Sequence, residues 1–287
     1  MGVATVMNIL AIGAHPDDIE LGCGGTLIKA ARRGHNVFMY VLTRGGRSGD
    51  PIQRTNELLR SAKFVGAKEL WIDNFEDANV VIGKKLVSHI EYFVHRSNPD
   101  IILTHAANDY HHDHRAIAEA TLEAARNSQN VMAYEIPITR DFKPQVYCDI
   151  TDVIDDKVRL VEIFTSQKDK MFTRINAIKG IGEYRALQSR LNTTITHVES
   201  FEVLKMCFNQ DFGIVKLDQK PLPHAVLDEI SKSSHDILQY RAHENHKTIS
   251  SSQIDTDAED SIQNVVLGKN HSMTDGNGMR VLKRIDI

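Results

Sequence analysis

The sequence lacks the features that mark several protein classes. It has three cysteines in 287 residues, Cys23, Cys148 and Cys207, and no Cys-x-x-Cys spacing. That excludes a disulfide framework and leaves reduced thiols as the expectation. No apolar run approaches the ~18 residues needed to cross a bilayer. Residues 1–10 carry neither a basic patch nor a long apolar stretch, so no secretory leader is expected. Positive charge is also short: 34 Lys and Arg face 38 Asp and Glu, a net of −4. Non-specific nucleic-acid binding needs a basic face, so nucleic acid is not an expected partner. No internal repeat is visible. These absences leave a cytoplasmic globular protein as the expectation. With 41% hydrophobic residues over this length, the chain can bury a sizeable core. One residue type is abundant: there are 14 histidines, and their spacing carries the information.

Residues 7–14 (Met-Asn-Ile-Leu-Ala-Ile-Gly-Ala) form a short, nearly continuous apolar run, the pattern of a strand buried on both faces. Gly22, Gly24 and Gly25 follow, and then a helix over about 26–33, stopped by Gly34. Strands fit 36–42, 70–72, 101–104 and 131–135; helices fit 52–65, 84–95 and 113–126. This alternation predicts an α/β fold, a mostly parallel, doubly wound, Rossmann-like sheet with helices on both faces. In such sheets ligands bind beyond the carboxyl ends of the strands. Chemistry is therefore expected just after the first strand and just after the strand at 101–104. Beyond 135 the pattern changes to a strand over 145–150, helices over 152–166 and 171–190, and a strand over 200–207. From 208 onward apolar content falls, and nine basic residues face twelve acidic ones. Residues 250–252 and 274–278 look like linkers. We read 1–207 as the main domain and 208–287 as a C-terminal extension, a small lobe or an oligomerisation arm.

Two polar clusters fall where the sheet rule places them. The first is Ala14-His15-Pro16-Asp17-Asp18. An imidazole and a carboxylate three residues apart, just past a buried strand, suit a divalent metal, with mixed N/O ligation favouring zinc. Asp17 is a spare carboxylate beside them, able to take a proton from a water. The competing reading is a loop whose acidic residues cap the next helix. The second cluster is Asn108-Asp109-Tyr110-His111-His112-Asp113-His114, with three histidines and two aspartates in six residues. Three protein ligands with one open position, and a base nearby, point to hydrolysis by activated water. His35, His89, His95 and His105 lack ligand-like spacing and read as ordinary surface or core histidines. Arg44-Gly45-Gly46-Arg47 reads as a turn.

His15-Pro16-Asp17-Asp18 with the downstream His111-x-Asp113-His114 resembles the PIG-L, or LmbE-like, family of zinc-dependent de-N-acetylases. The resemblance covers about 7–207 and includes Arg54-x-x-Glu57, Ser166-Gln167 and Glu199-Ser200-Phe201 as weaker matches. It implies that His15, Asp18 and His114 hold Zn²⁺, with Fe²⁺ or Co²⁺ as possible occupants of the same ligands. It implies Asp17 as general base, and His111 as the group that faces the developing oxyanion and can protonate the leaving amine. Asp113 would orient and charge His111. Arg54 would contact substrate, with Asn108, Asp109, Arg44 and His197 also on the substrate side. The implied substrate is a small N-acylated amino sugar, nucleotide sugar or related glycoconjugate, and a homo-oligomer is possible. The sequence departs from the family pattern at Gly46, Ala186, His197 and His112, the last standing where proline is common. The alternatives are a sugar-binding protein without turnover, which the intact Asp17 disfavours, and a metal-dependent phosphoesterase. Phosphoesterases often use two metals and more carboxylates.

Overall fold

The structure, a computed structural model, describes residues 5–128, 130–208, 221–233, 236–242, 273–274, 280–281 and 283–285. Five parallel strands form its centre: β1 (Asn8–Gly13), β2 (Asn36–Thr43), β3 (Glu69–Phe75), β4 (Ile101–His105) and β5 (Val131–Tyr134). The connecting helices are α1 (Asp18–Arg32), α2 (Pro51–Val65), α3 (Lys84–Ser97) and α4 (His112–Ala124). β6 (Val146–Asp149), α5 (Ile154–Glu162), α6 (Ile175–Ser189) and β7 (Val198–Lys205) follow, then α7 (His224–Ser233) and β8 (Leu238–Arg241). Two short strands, β9 (Met273–Thr274) and β10 (Arg280–Val281), pair with each other, and β11 (Lys283–Ile285) pairs with β8. The main sheet runs β11-β8-β3-β2-β1-β4-β5-β7-β6. The chain leaves β1 toward β2 and β3 on one side, then crosses back to β4 on the other. The crevice between β1 and β4 is thus the switch point, where such sheets bind ligands.

The unbroken apolar run of β1 is explained by two cores. Ile9 and Ala11 face one core with Leu27, Leu58 and Leu160. Leu10 and Ile12 face the other with Ile90, Phe93 and Ile117. Alternate side chains leave opposite faces of a strand, so both positions must be apolar when helices cover both faces.

One expectation fails. The helix expected over about 26–33 starts earlier: α1 begins at Asp18 and runs through Gly22, Gly24 and Gly25, broken only at Cys23 (φ −139°, ψ 16°). In an unbroken helix the Gly25 N–H would donate to the Leu21 carbonyl. Here Gly25 N–H donates to Glu199 Oε1 (2.8 Å), and Thr26 N–H to Glu199 Oε2 (2.6 Å). Lys157 Nζ donates to Leu21 O (2.7 Å) and to Glu199 Oε1 (2.6 Å). A buried ion pair is inserted into the broken hydrogen bond and satisfies both ends. Glycine content argues against a helix from local propensity alone; α5 and β7, more than a hundred residues downstream, supply what the local sequence cannot.

The extension expected after 207 contributes to the sheet where it is described. β8 pairs antiparallel with β3, Ile72 opposite Leu238, and α7 packs on α3. Ser233 Oγ meets His89 Nε2 at 2.8 Å, His89 Nδ1 meets Asp73 Oδ2 at 2.6 Å, and Tyr40 donates to that oxygen at 2.7 Å. The anticipated boundary at 207 therefore coincides with no break in the sheet. The linker-like residues 250–252 and 275–278 lie outside the described residues.

The glycines of α1 owe their place to close approach. A Cβ on Gly22 would lie 2.2 Å from the Tyr134 ring, whereas one on Gly180 in α6 would meet nothing within 4 Å. Gly180→Ala is therefore expected to stabilise the protein by about 0.5–1 kcal/mol, the usual helix-interior gain. Gly22→Ala is expected to destabilise it by about 1–3 kcal/mol through overpacking. Urea unfolding of both variants checks the opposite signs; a shared sign would overturn this packing account.

Candidate active site

The loops that leave the carboxyl ends of β1, β2, β3, β4 and β5 surround one cleft. It is lined among others by His15, Asp17, Asp18, Ser48, Arg54, Asp77, His111, His114 and Ile136–Ile138. Both sequence clusters meet there.

At its floor three donor atoms converge. His15 Nδ1 is 3.3 Å from Asp18 Oδ2, His114 Nε2 is 3.3 Å from the same oxygen, and the two nitrogens are 3.2 Å apart. Ligands on a tetrahedral zinc at bond lengths of about 2.0–2.1 Å are separated by about 3.3–3.4 Å. The triangle therefore fits one face of such a coordination sphere. Its charge fits as well. Burial would lower the His114 pKa, but Asp18 and Asp109 outweigh it and raise it to about 9. Burial likewise opposes protonation of His15, yet hydrogen bonds to Asp113, Asp18 and Asp77 carry its pKa well above the ordinary value. The carboxylates thus demand positive charge at this point, which a divalent cation supplies.

The far nitrogen of each histidine is also held. His15 Nε2 lies 3.1 Å from Asp113 Oδ2 and 3.1 Å from Asp77 Oδ1. His114 Nδ1 lies 3.1 Å from Asp109 Oδ1. A carboxylate on one ring nitrogen places the proton there and leaves the other nitrogen as a lone pair. His15, His111 and Asp113 form a second possible donor group. It would require the other nitrogen of His15, and a neutral imidazole offers one lone pair. The two groups exclude each other, and the wholly buried triangle has the better supported rings.

Asp17 stands at the N-cap position of α1 with φ 113°, ψ −21°, and its side chain makes no capping bond. Such a backbone is strained for a non-glycine residue and persists only where its surroundings hold it. Arg54 is what holds it: its guanidinium donates to the Pro16 carbonyl and reaches Asp17 Oδ2 at 3.2 Å. Burial pushes the Asp17 carboxyl up to about 8, with Arg54 opposing. The capping alternative for this cluster therefore fails for Asp17, whose carboxylate faces the cleft instead.

Arg54 also donates to Ser48 Oγ and to Gly45 O (3.3 Å), fixing the loop after β2. Gly45 has φ +67°, and a Cβ there would lie 2.4 Å from Arg54 Nη1, so this turn needs glycine. Two of the weaker motif matches prove to be one network. Glu57 accepts from Ser166 N (2.8 Å) and Ser166 Oγ (2.5 Å), and Gln167 Nε2 donates to Ser48 O (3.1 Å).

His111 caps α4: its Nδ1 accepts the Asp113 N–H at 3.2 Å. Burial, then His15 and His114, lower its pKa. The neutral ring therefore carries its proton on Nε2. That leaves the Nε2–H edge of His111 free to donate.

Five further expectations are corrected. Asp113 hydrogen-bonds to His15 rather than to the His111 ring; it also accepts from Ala78 N (2.8 Å) and Val80 N (3.0 Å), which fix its carboxylate. Asp109, expected beside substrate, is buried and supports His114. Asn108 is turned to Asp141, 3.1 Å away, and Arg44 donates to Asp236 O at 2.6 Å, so neither lines the cleft. His197 lies beside Gly182 of α6, its Nδ1 2.9 Å from Thr196 Oγ1, outside the cleft. Sequence reasoning missed Asp77 and His105. The strand-end rule, applied to β3 as it was to β1 and β4, would have singled out Asp77. His105 had no spacing signal.

The fold and cleft define an α/β protein with a His–Asp donor cluster at the switch point of its sheet. The sequence profile of the PIG-L family, GlcNAc-PI de-N-acetylase, matches residues 10–125. An uncharacterized deacetylase of Escherichia coli, YaiS, is 36% identical over 149 residues, covering 49% of this chain and 80% of that protein. The chain belongs to the PIG-L family of de-N-acetylases. Among solved structures, the N,N'-diacetylchitobiose deacetylase of Pyrococcus horikoshii superposes with a TM-score of 0.61 at 19% identity, covering 69% of this chain and 83% of that one. A 4-carboxy-2-hydroxymuconate hydratase from Pseudomonas putida gives 0.62 at 18% identity, covering 71% and 99%. At such identities the likeness shows the fold alone, and the hydratase shows that this fold carries more than one reaction.

Asp113→Asn is expected to weaken divalent-metal binding by about tenfold to a hundredfold, the usual cost of removing a carboxylate behind a ligating histidine. Competition with a chromogenic chelator measures it; unchanged affinity would show that Asp113 does not act through His15.

Proposed function

We propose that this protein is a zinc-dependent hydrolase that removes an N-acyl group, acetyl in the simplest case, from a small amino sugar or glycoconjugate. The observation that carries the reading is the triangle of His15, Asp18 and His114 with the uncapped carboxylate of Asp17 beside it. His15, Asp18 and His114 would hold the metal, which when bound acidifies a water and polarises the amide carbonyl. Asp17 takes the proton from the attacking water. Its raised pKa in the buried cleft suits a group that must first accept a proton and then release it. Arg54 aims that carboxylate and holds Ser48 at the cleft wall. The Nε2–H of His111 supplies a hydrogen bond to the carbonyl oxygen as it becomes negative, an electrostatic contribution often among the largest in catalysis. The amine leaves after it takes a proton from Asp17, which received it from the water, or from His111, and the products are a small carboxylate and the free amine.

The sugar reading rests on family membership and on the named substrate of the structurally similar diacetylchitobiose deacetylase. A two-metal phosphoesterase is disfavoured because the two donor groups compete for His15. Among the described residues no helix is long and apolar enough to cross a membrane.

Acetate release from a panel of N-acetylated sugars, nucleotide sugars and glycosides, with and without chelator, tests the activity. Chelator is expected to abolish release and zinc to restore it. Asp17→Asn is expected to retain zinc and lose about 10²–10⁴-fold in kcat, the range for general-base removal. Near-parental turnover would remove Asp17 from the base role. His114→Ala is expected to lose the metal; full zinc occupancy by elemental analysis would contradict its assignment as a ligand.

A further inference from the structure

His105 ends β4, is buried, and has no role in the reading above. Parallel pairing of β1 with β4, Ala11 opposite Leu103, brings it beside the chain as it leaves β1. Three contacts follow. Its ring lies flat on His114, with centroids 4.0 Å apart and planes at 10°. Its Nε2 accepts the Ala14 N–H at 3.0 Å. The same atom stands 3.3 Å from Asp18 Oδ2, the oxygen shared by both donor histidines. Its Nδ1 finds no hydrogen-bond partner. A tyrosine flanks the imidazole: Tyr134 lies 5.0 Å from it, anchored by donation to Ile12 O at 2.8 Å.

Hydrophobic packing does not account for this arrangement. A phenyl or leucine side chain fills the space without leaving a buried ring nitrogen unpaired, a loss of about 1–3 kcal/mol. The edge that is paired is the one facing the turn that carries His15 and Asp18. The face that is stacked is the one against His114. The two halves of the donor triangle come from loops about a hundred residues apart in sequence, and His105 touches both.

We infer that His105 is a positioning residue for the metal: its flat face sets the plane of His114, and its Nε2 pins the Ala14 amide so that Asp18 meets that plane. The inference rests on the metal reading of the triangle. His105 contacts neither substrate nor reacting atoms in this role. Its two actions are separable by substitution. His105→Phe keeps a flat ring and loses the acceptor. His105→Gln keeps an acceptor that can reach the Ala14 amide and loses the ring.

The test uses cobalt as the probe. Parent protein and both variants are stripped of metal and titrated with Co²⁺, following the visible d–d absorption and competing with a chelator for the dissociation constant. Thermal midpoints of the metal-free proteins are recorded alongside. Each variant is expected to bind Co²⁺ about tenfold more weakly than the parent, with a shifted d–d spectrum. A merely structural residue would lower the metal-free midpoint and leave the spectrum and affinity of the folded protein unchanged. A folded variant of either kind that holds Co²⁺ with parental affinity and spectrum overturns the inference. Should one variant not fold, the other decides. Failure of the parent itself to bind Co²⁺ would instead overturn the metal reading on which this rests.

Discussion

Three lone pairs aimed at one point govern this structure. His15 Nδ1, His114 Nε2 and Asp18 Oδ2 stand 3.2–3.3 Å apart, close enough to repel unless a positive charge sits between them. Everything around them resists relaxation. Asp109, Asp113 and Asp77 hold the far edges of the imidazoles, and backbone amides of Ala78 and Val80 hold Asp113 in turn. On the proposed function that positive charge is the metal's, and the fold bears the cost of keeping the cluster assembled.

That cost is distributed through elements with no visible tie to the chemistry. α1 presents Asp17 and Asp18 from its first turn, and it approaches β5 and α5 closely only because its glycines remove the side chains that would collide with Tyr134 and Leu160. Its break at Cys23 leaves a donor and an acceptor unsatisfied, which Glu199 and Lys157 repair from α5 and β7. Loss of one partner from such a buried pair typically costs about 3–5 kcal/mol. Arg54 does the corresponding work on the other side, linking Asp17 in its strained backbone to the loop after β2. Glu57 and Gln167 extend that scaffold to the segment after α5. A deacetylase and a hydratase share the overall fold. The chemistry must therefore lie in these loop-borne groups rather than in the sheet.

The sequence by itself determined the parallel α/β architecture, because apolar runs at strand length alternate with amphipathic helices. It determined the location of the cleft, because parallel sheets bind at their carboxyl ends, and it picked out His15, Asp17, Asp18, His111 and His114, which stand within a few residues of strand ends. Tertiary structure decided the rest. Which histidine Asp113 hydrogen-bonds depends on the distance between two loops, and the family resemblance had assigned it to His111. The use of Asp109 behind His114, the departure of Asn108, Arg44 and His197 from the cleft, and the entry of Asp77 and His105 are equally non-local. The helix expected from about 26 begins at Asp18 because a lysine and a glutamate from elsewhere complete the hydrogen bonds broken among its glycines. A strand period or a ligand motif is written along the chain; the orientation of a side chain is set by contacts that exist only after distant segments have packed.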